Sequence, residues 1–182
     1  MDMPLPTQTL PVSQLLSRKR SVFRFAPDAQ ARQAIAQVLG LVDLPELSFE
    51  GDITPEQRGD LKLTGRLQAR AVQSCIVTLA PVQALVETGV LRRYLSDFEL
   101  PEGDEAEIPE DDTAEPLPGQ IDLAAVAIEA LALALPEYPR APGAELGARE
   151  FPAPDAAPEA SPPKPLAGLA ALMARKPGDS EA

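Results

Sequence analysis

The chain has 182 residues, a net charge of −12, no histidine and a single cysteine, Cys75. These counts exclude an internal disulfide, a Cys/His zinc site and a Cys–His catalytic pair. The 21 prolines amount to about twice the average proline frequency, which indicates that part of the chain does not join a compact domain. The start lacks the basic and apolar regions of a signal peptide and no apolar run reaches the roughly 20 residues that a bilayer requires, so we expect a cytoplasmic protein.

Charge is distributed unevenly along the chain. Residues 1–95 carry 11 basic and 9 acidic side chains, whereas residues 96–182 carry 5 basic and 19 acidic side chains. An acidic protein is repelled by nucleic acid on average, so any RNA contact is expected in the first half. The acidic second half suits a basic protein partner.

The first half of the sequence predicts a small sheet domain with one helix. Phe23 and Phe25 lie two positions apart and share one side of a predicted strand. Asp28 is placed as the N-cap of an amphipathic helix that ends at Gly40, a typical C-terminal stop. A second strand is predicted around Phe49.

The clearest strand covers residues 61–72, where apolar and polar side chains alternate. Residues 81–95 are expected to return as an antiparallel partner or as two shorter strands broken near Gly89. The polar side of the strand over residues 61–72 is basic, which predicts a strip that contacts phosphates. Cations of the neighbouring strand extend this strip. The alternative is an ordinary solvated sheet face. The candidate RNA-contact residues are Lys62, Arg66, Arg70, Arg92 and Arg93. Tyr94 and Tyr138 are the candidates for exposed rings that stack on bases.

The second half begins with an acidic stretch over residues 97–118 that predicts a mobile loop. Its alternative role is to bind a basic protein or to guard against non-specific RNA. Asp122 then caps a helix whose residues up to Leu135 are apolar except Glu129, and prolines end it. Because the helix is apolar all round and too short for a membrane, we predict that it is buried. Glu129 is expected either to pair with an arginine or to face an exposed edge.

The C-terminal part predicts a tail attached to an α+β domain that covers residues 1–142. Residues 143–163 have the composition of a Pro/Ala-rich linker, and residues 164–176 predict a short amphipathic helix. This helix either docks on a partner or folds back on its own domain. Its candidate docking residues are Leu166, Leu169, Leu172 and Met173.

Three segments together resemble the YceD-like family, whose role is accumulation of large-subunit ribosomal RNA. They are LQARAVQSCIVTLAPV at 67–82, GQIDLAAVAIEALALALPEYP at 119–139 and PKPLAGLAALMARK at 163–176. The family-motif positions within them are Cys75, Asp122, Pro136 and Pro139. Many relatives carry a Cys-x-x-Cys pair at the first of these segments and some carry another after the helix, but this chain has Thr78 at the second position and no cysteine at 138–141.

The resemblance implies a non-enzymatic ribosome-biogenesis factor that acts on large-subunit (23S) ribosomal RNA or its assembly intermediates. The residues agree with a protein without cofactor, metal or small-molecule substrate, because they provide no nucleophile–base pair, Walker-type loop or metal-ligand cluster. The alternative is an acidic module or chaperone that binds a basic ribosomal or assembly protein and affects the RNA only indirectly.

Overall fold

The computed structural model describes residues 4–98 and 113–145, and these form an α+β fold built around one sheet. The α-helices and strands of these residues are β1 (Thr9–Pro11), α1 (Val12–Leu16), β2 (Ser21–Phe25), α2 (Ala29–Val38), β3 (Asp43–Pro55), β4 (Leu61–Ser74), β5 (Pro81–Leu95), β6 (Ala114–Pro116), β7 (Gln120–Asp122) and α3 (Leu123–Ala134). Strands β2 to β5 are antiparallel neighbours in chain order, and β6 joins the edge of β5 in parallel. A separate antiparallel pair, β1 with β7, joins the N-terminal part of the fold to the start of α3.

The hairpin of β4 and β5 is the longest regular part of the fold. The strand expected over 61–72 is present and extends to Ser74, and β5 runs without interruption from Pro81 to Leu95. Gly89 therefore does not break the strand; it lies directly opposite Arg66 in an unshifted register. Of the two arrangements that the sequence left open, the single antiparallel partner is the observed one.

One side of the sheet forms the core, and the period-2 pattern decides which side. Leu61, Leu63 and Leu67 are fully buried on this inner face, and Phe49 joins them from β3. Helix α2 packs against β3, while α3 packs against β4 and β5. Asp28 caps α2 through a 2.8 Å hydrogen bond from the Ala31 amide, as the sequence predicts.

Two glycines allow the aromatic part of the core to form. Gly51 of β3 lies directly opposite Gly65 of β4, on the inner face. The rings of Phe23 and Phe49 occupy the space over these two glycines, with their centroids 5.0 Å apart. A side chain at either glycine would therefore meet a ring or the neighbouring backbone.

Helix α3 is buried on one side only, which corrects the prediction of a fully buried helix. Leu123, Ala127 and Leu131 have no exposed surface, whereas Leu133 is 79% exposed. The physical reason is that α3 covers a single layer of sheet, so its apolar outer side remains in contact with solvent in the described structure. The prolines do end the helix as expected, because the last helical residue is Ala134.

Asp122 joins two distant parts of the fold, which gives a testable stability effect. Its Oδ1 accepts the amide of Ala124 at 3.0 Å as an N-cap, and also the amide of Gln8 at 2.9 Å. We expect Asp122→Ala to lower the free energy of unfolding by about 1–2 kcal/mol, because both amides lose their acceptor. Urea denaturation measures this, and Asp122→Asn is the matched control that keeps the acceptor oxygen. Equal stability of the alanine variant and the wild type would contradict the expected capping role.

Candidate nucleic-acid interface

The outer face of the sheet, which is the side opposite the core, brings four of the five predicted RNA-contact residues together. Lys62, Arg66 and Arg70 alternate with the buried leucines of β4, and Arg93 of β5 lies directly opposite Lys62. The side chains of Arg66, Arg70 and Arg93 are 65%, 45% and 39% exposed. These cations are thus held at fixed spacing on a regular hairpin.

Carboxylates are interleaved with these cations, so the strip is not continuously basic. Strand β3 places Glu50 opposite Arg66 and Glu46 opposite Arg70. The ion pairs on or beside this face are Arg66–Glu87, Arg70–Glu46 at 3.4 Å, Arg24–Glu50 at 3.0 Å, Arg20–Asp52 at 2.8 Å and Arg93–Glu56 at 3.5 Å. Lys62 has no ion pair with any carboxylate of residues 4–98 and 113–145.

Sequence reasoning missed these acidic neighbours, although a signal for them was present. Glu46, Glu50 and Asp52 alternate with Leu47, Phe49 and Gly51, which is the same period-2 pattern that marked β4. The strand around Phe49 was predicted from its apolar residues alone. Its register against β4, which pairs carboxylates with arginines, follows only from the folded sheet.

Arg92 does not belong to the outer face, which corrects its place in the predicted strip. Adjacent residues of a strand point to opposite sides, so Arg92 faces inward when Arg93 faces outward. Its side chain is 17% exposed and contacts Glu129 of α3 at 2.8 Å and also Glu115 of β6. Glu129 thus meets both expectations, because it pairs with an arginine and its side chain remains 54% exposed.

The two tyrosines differ from each other in exposure. Tyr138 is 71% exposed, as predicted for a ring that could stack on a base. Tyr94 is only 3% exposed, so its predicted exposure is wrong. It shares the inner face of β5 with Arg92, and burial is the main cause that raises the pKa of its hydroxyl, with a smaller contribution from Glu129 in the same direction. Tyr94 is therefore a core residue.

The bend between β4 and β5 is joined to the segment that follows α3. The Cys75 thiol is buried, and its Sγ accepts the amides of Val77 and Thr78 at 3.4 Å and of Ala141 at 3.3 Å. The Ile76 amide donates to the Pro139 carbonyl at 3.0 Å. In addition, Gln73 Nε2 donates to the Pro136 carbonyl at 3.0 Å. Pro136 and Pro139, which follow α3, therefore bind the bend and the end of β4 through their carbonyl oxygens.

All but the first two residues of this architecture, from β4 through the bend to α3, lie within a match to a known family. The family described as large ribosomal RNA subunit accumulation protein YceD matches residues 63–173, which is more than half of the chain. The chain belongs to the YceD family. No curated protein and no solved structure matches the chain significantly.

The family match confirms the resemblance that the sequence motifs indicated. Within the YceD region, β4, β5 and α3 are present in the expected order. No helix in the described part of the chain is long and apolar enough to cross a membrane. The candidate docking residues Leu166, Leu169, Leu172 and Met173 lie outside the described residues, as does most of the acidic stretch predicted over 97–118.

The Cys75 sulfur lies where the bend meets the segment that follows α3. Position 75 contacts positions 78 and 141, but Thr78 and Ala141 approach the sulfur with N–H donors rather than thiolates. No group of three or more His, Cys, Asp or Glu side chains in residues 4–98 and 113–145 is placed to hold a metal ion. The hydrogen bond from the Ala141 amide to this sulfur joins the bend to the segment after α3, together with the Ile76–Pro139 and Gln73–Pro136 hydrogen bonds.

Hydrogen bonds to the Cys75 sulfur from the Thr78 side chain and from backbone amides make its contribution to stability depend on pH. Its pKa is lowered to about 6, mainly by the hydrogen bond with the Thr78 side chain and then by the Ala141 amide, while desolvation opposes the shift. Since an unfolded thiol titrates near a pKa of about 8.5, the folded state binds fewer protons between these values. The thiolate contribution is therefore complete above the unfolded pKa and is lost as the pH falls through about 6.

The expected result is that the stability advantage of wild type over Cys75→Ala is larger at pH about 8.5 than at pH about 5.5. Urea denaturation in the presence of a reductant measures it at both pH values. The Ile76→Ala variant, which changes a neighbouring exposed side chain, should show no such pH dependence relative to wild type. A difference between wild type and Cys75→Ala that is constant with pH would show that the sulfur acts only by packing.

Proposed function

We propose that this chain is a non-enzymatic ribosome-biogenesis factor that acts in the cytoplasm and promotes the synthesis, processing or stability of large-subunit (23S) ribosomal RNA. Membership of the YceD family carries the proposal, since the family is named for accumulation of that RNA. The absence of histidine and the single buried cysteine leave no nucleophile–base pair for acid–base or covalent catalysis of the Ser–His or Cys–His type. Binding is therefore the activity that the chain's residues support best.

The RNA contact in this proposal is the outer face, through Lys62, Arg66, Arg70 and Arg93. Lys62 and Arg70 are eight residues apart on one strand, which separates them by about 26 Å and lets the strip meet several phosphates. The neighbouring ion pairs do not prevent this contact, because exposed pairs contribute only about 0–1 kcal/mol each. A phosphate can therefore replace a glutamate as the partner of an exposed arginine.

The interleaved carboxylates have a role in this proposal. Glu46, Glu50 and Glu87 lower the positive potential of the outer face, so that single phosphates of unrelated RNA bind weakly. An RNA that presents several phosphates at the spacing of the cations can displace these carboxylates together. The arrangement favours a shaped ribosomal RNA site over non-specific RNA, which binds through its charge alone.

Cross-linking by ultraviolet light in living cells, followed by sequencing of the RNA attached to the purified protein, tests this function directly. We expect discrete peaks in large-subunit ribosomal RNA or its precursor. The test uses a deletion strain in which the tagged protein restores the level of ribosomal RNA. If the cross-linked RNA in these cells does not exceed background, direct contact is contradicted. That outcome would favour the alternative, in which the acidic second half or the 164–176 segment binds a basic ribosomal protein and the effect on RNA is indirect.

A further inference from the structure

A concavity of about 540 Å³ crosses the outer face of the sheet from β2 to β5. The outer-face residues that line it are Arg24, Glu46, Ser48, Gln68, Leu85 and Glu87. The register of the sheet places Ser48, Gln68 and Glu87 in one row, each directly opposite the next. Neighbours in such a row have Cβ atoms about 4.5–5.5 Å apart, so their side chains can act on one ligand.

Ser48 and Gln68 supply polar groups to this concavity that the fold does not use. Neither side chain forms a hydrogen bond with any other group in residues 4–98 and 113–145. The Gln68 amide places a donor beside an acceptor, and the Ser48 hydroxyl can act as either. The backbone of Gln68 is occupied, because β4 pairs with β3 on one side and with β5 on the other. The side chain of Gln68 is therefore the part that is available to a ligand.

The charges around the concavity favour an uncharged ligand group inside it. Glu46 and Glu87 border it, and they pair with Arg70 and Arg66 respectively. These carboxylates repel a phosphate from the concavity itself. Arg66 and Arg70 lie two positions before and after Gln68 on the same strand and face, about 7 Å from it in each direction. An RNA strand whose phosphates contact both arginines therefore passes over Gln68.

Leu85 adds an apolar contact at one side of the concavity. Its side chain is 80% exposed, and it lies directly opposite Arg70 on the outer face. Arg24 borders the opposite side, three strands away, with a side chain that is 72% exposed. Unpaired bases of RNA are commonly held through their faces, including by the planar guanidinium of arginine. The concavity thus offers surfaces for the face of a base as well as polar groups for its edge.

We propose that this concavity binds one unpaired base of single-stranded RNA. The edge of the base forms hydrogen bonds with the Gln68 amide and the Ser48 hydroxyl, and its ring contacts Leu85. This site depends on the proposed function, since phosphates held by Arg66 and Arg70 bring the strand to this place. It adds recognition of a base to a face that otherwise contacts phosphates, which position a strand without reading its sequence.

An unpaired base matches these groups better than a segment of a partner protein does. Each base carries hydrogen-bond donors and acceptors on its edge and an apolar ring face, which is the combination that Gln68, Ser48 and Leu85 present. A base also arrives between two phosphates of its own strand, and cations lie on both sides of Gln68. An added peptide strand would need free backbone groups, but β4 at Gln68 is already paired on both sides.

Binding of the full chain to two single-stranded probes of about 12 nucleotides tests the proposal. One probe is RNA of mixed sequence, and the other is a ribose–phosphate chain of the same length without bases. We expect the wild-type chain to bind the RNA about tenfold more tightly, because only the RNA can fill the concavity. Fluorescence anisotropy measures both affinities. Equal affinity for the two probes would overturn the proposal and would leave the phosphate contacts of the proposed function in place.

Gln68→Ala and Leu85→Ala identify the residues responsible, and Thr64→Ala is the matched control. Thr64 lies on the same strand and face, between Lys62 and Arg66, but it does not line the concavity. We expect each concavity variant to bind the RNA about three- to tenfold more weakly, with an unchanged salt slope and unchanged affinity for the base-free chain. Thr64→Ala should bind both probes as the wild type does. All three substituted side chains are exposed, so the core is unchanged.

Failure of this site and failure of the proposed function give different results. A wild-type chain that binds neither probe up to about 100 µM overturns both, because direct RNA contact is then absent. An equal loss of RNA affinity in Gln68→Ala and Thr64→Ala overturns the site alone, since the outer face would then act as a whole. Variants of Gln68 and Leu85 that bind the RNA as tightly as wild type also overturn it. If Gln68→Ala nevertheless fails to restore ribosomal RNA in a deletion strain, the concavity serves another ligand, such as a protein.

Discussion

Gly51→Ala is expected to destabilise the protein by about 3 kcal/mol, which is enough to unfold many domains of this size. A Cβ atom at Gly51 would overlap the Thr64 carbonyl oxygen and lie 2.6 Å from Gly65 Cα and 2.9 Å from Phe23 Cζ. Two of these three atoms belong to the backbone of the adjacent strand, which cannot move without breaking the β3–β4 pairing. The close approach of the two glycines thus makes a single methyl group costly.

Thermal and urea denaturation measure this effect, and Gly89→Ala is the matched control. Gly89 also lies in a strand, but a Cβ added there would have no neighbour within 4 Å. We expect Gly89→Ala to change the free energy of unfolding by no more than about 0.5 kcal/mol. Equal stability of the two alanine variants would mean that the strands can separate locally at Gly51 and that the aromatic packing there is loose.

The triple variant Lys62→Ala, Arg66→Ala and Arg70→Ala is expected to bind large-subunit ribosomal RNA about 10- to 100-fold more weakly at ~0.1 M salt. Loss of three phosphate contacts should also reduce the slope of log affinity against log salt by about 2 to 3. All three side chains lie on the outer face, so their removal leaves the core unchanged. Fluorescence anisotropy over a series of salt concentrations measures both quantities.

The control for this variant carries the same change in net charge at other exposed cations. Arg18, Lys19 and Arg140 are exposed and lie outside the five strands of the sheet. Their triple alanine variant should lose less affinity and change the salt slope less. Equal losses in both variants would show that net charge, rather than the outer face, governs the interaction.

Replacement of the outer-face carboxylates is expected to raise the affinity for RNA, in contrast to replacement of the cations. Replacement of Glu46, Glu50 and Glu87 by glutamine removes the competitors of RNA phosphates, so affinity should rise with little effect on stability. A protein-binding module whose acidic contacts lie in the second half predicts no gain in RNA affinity from these substitutions. An unchanged affinity for RNA would therefore contradict the role proposed for the outer-face carboxylates.

Local chemistry in the sequence determined much of the fold. The alternation along β4, the cap at Asp28 and the cap at Asp122 were predictable, because each depends on residues within a few positions of one another. The end of α3 before Pro136 was predictable for the same reason, since proline acts on the turn that precedes it. The YceD resemblance also rested on segments that can be recognised one at a time.

The tertiary structure alone decided how these pieces meet. The register of β3 against β4 placed Glu50 and Glu46 beside the predicted cations. Tyr94 is buried on the inner face of β5, and α3, which packs against this strand, begins almost 30 residues later in the sequence. The Ala141 amide reaches the Cys75 sulfur across 66 positions of sequence. Pairing register and the choice of covering helix are set by the summed packing of distant segments. The sequence therefore determined which side chains share a face, and only the folded sheet decided what lies beside them.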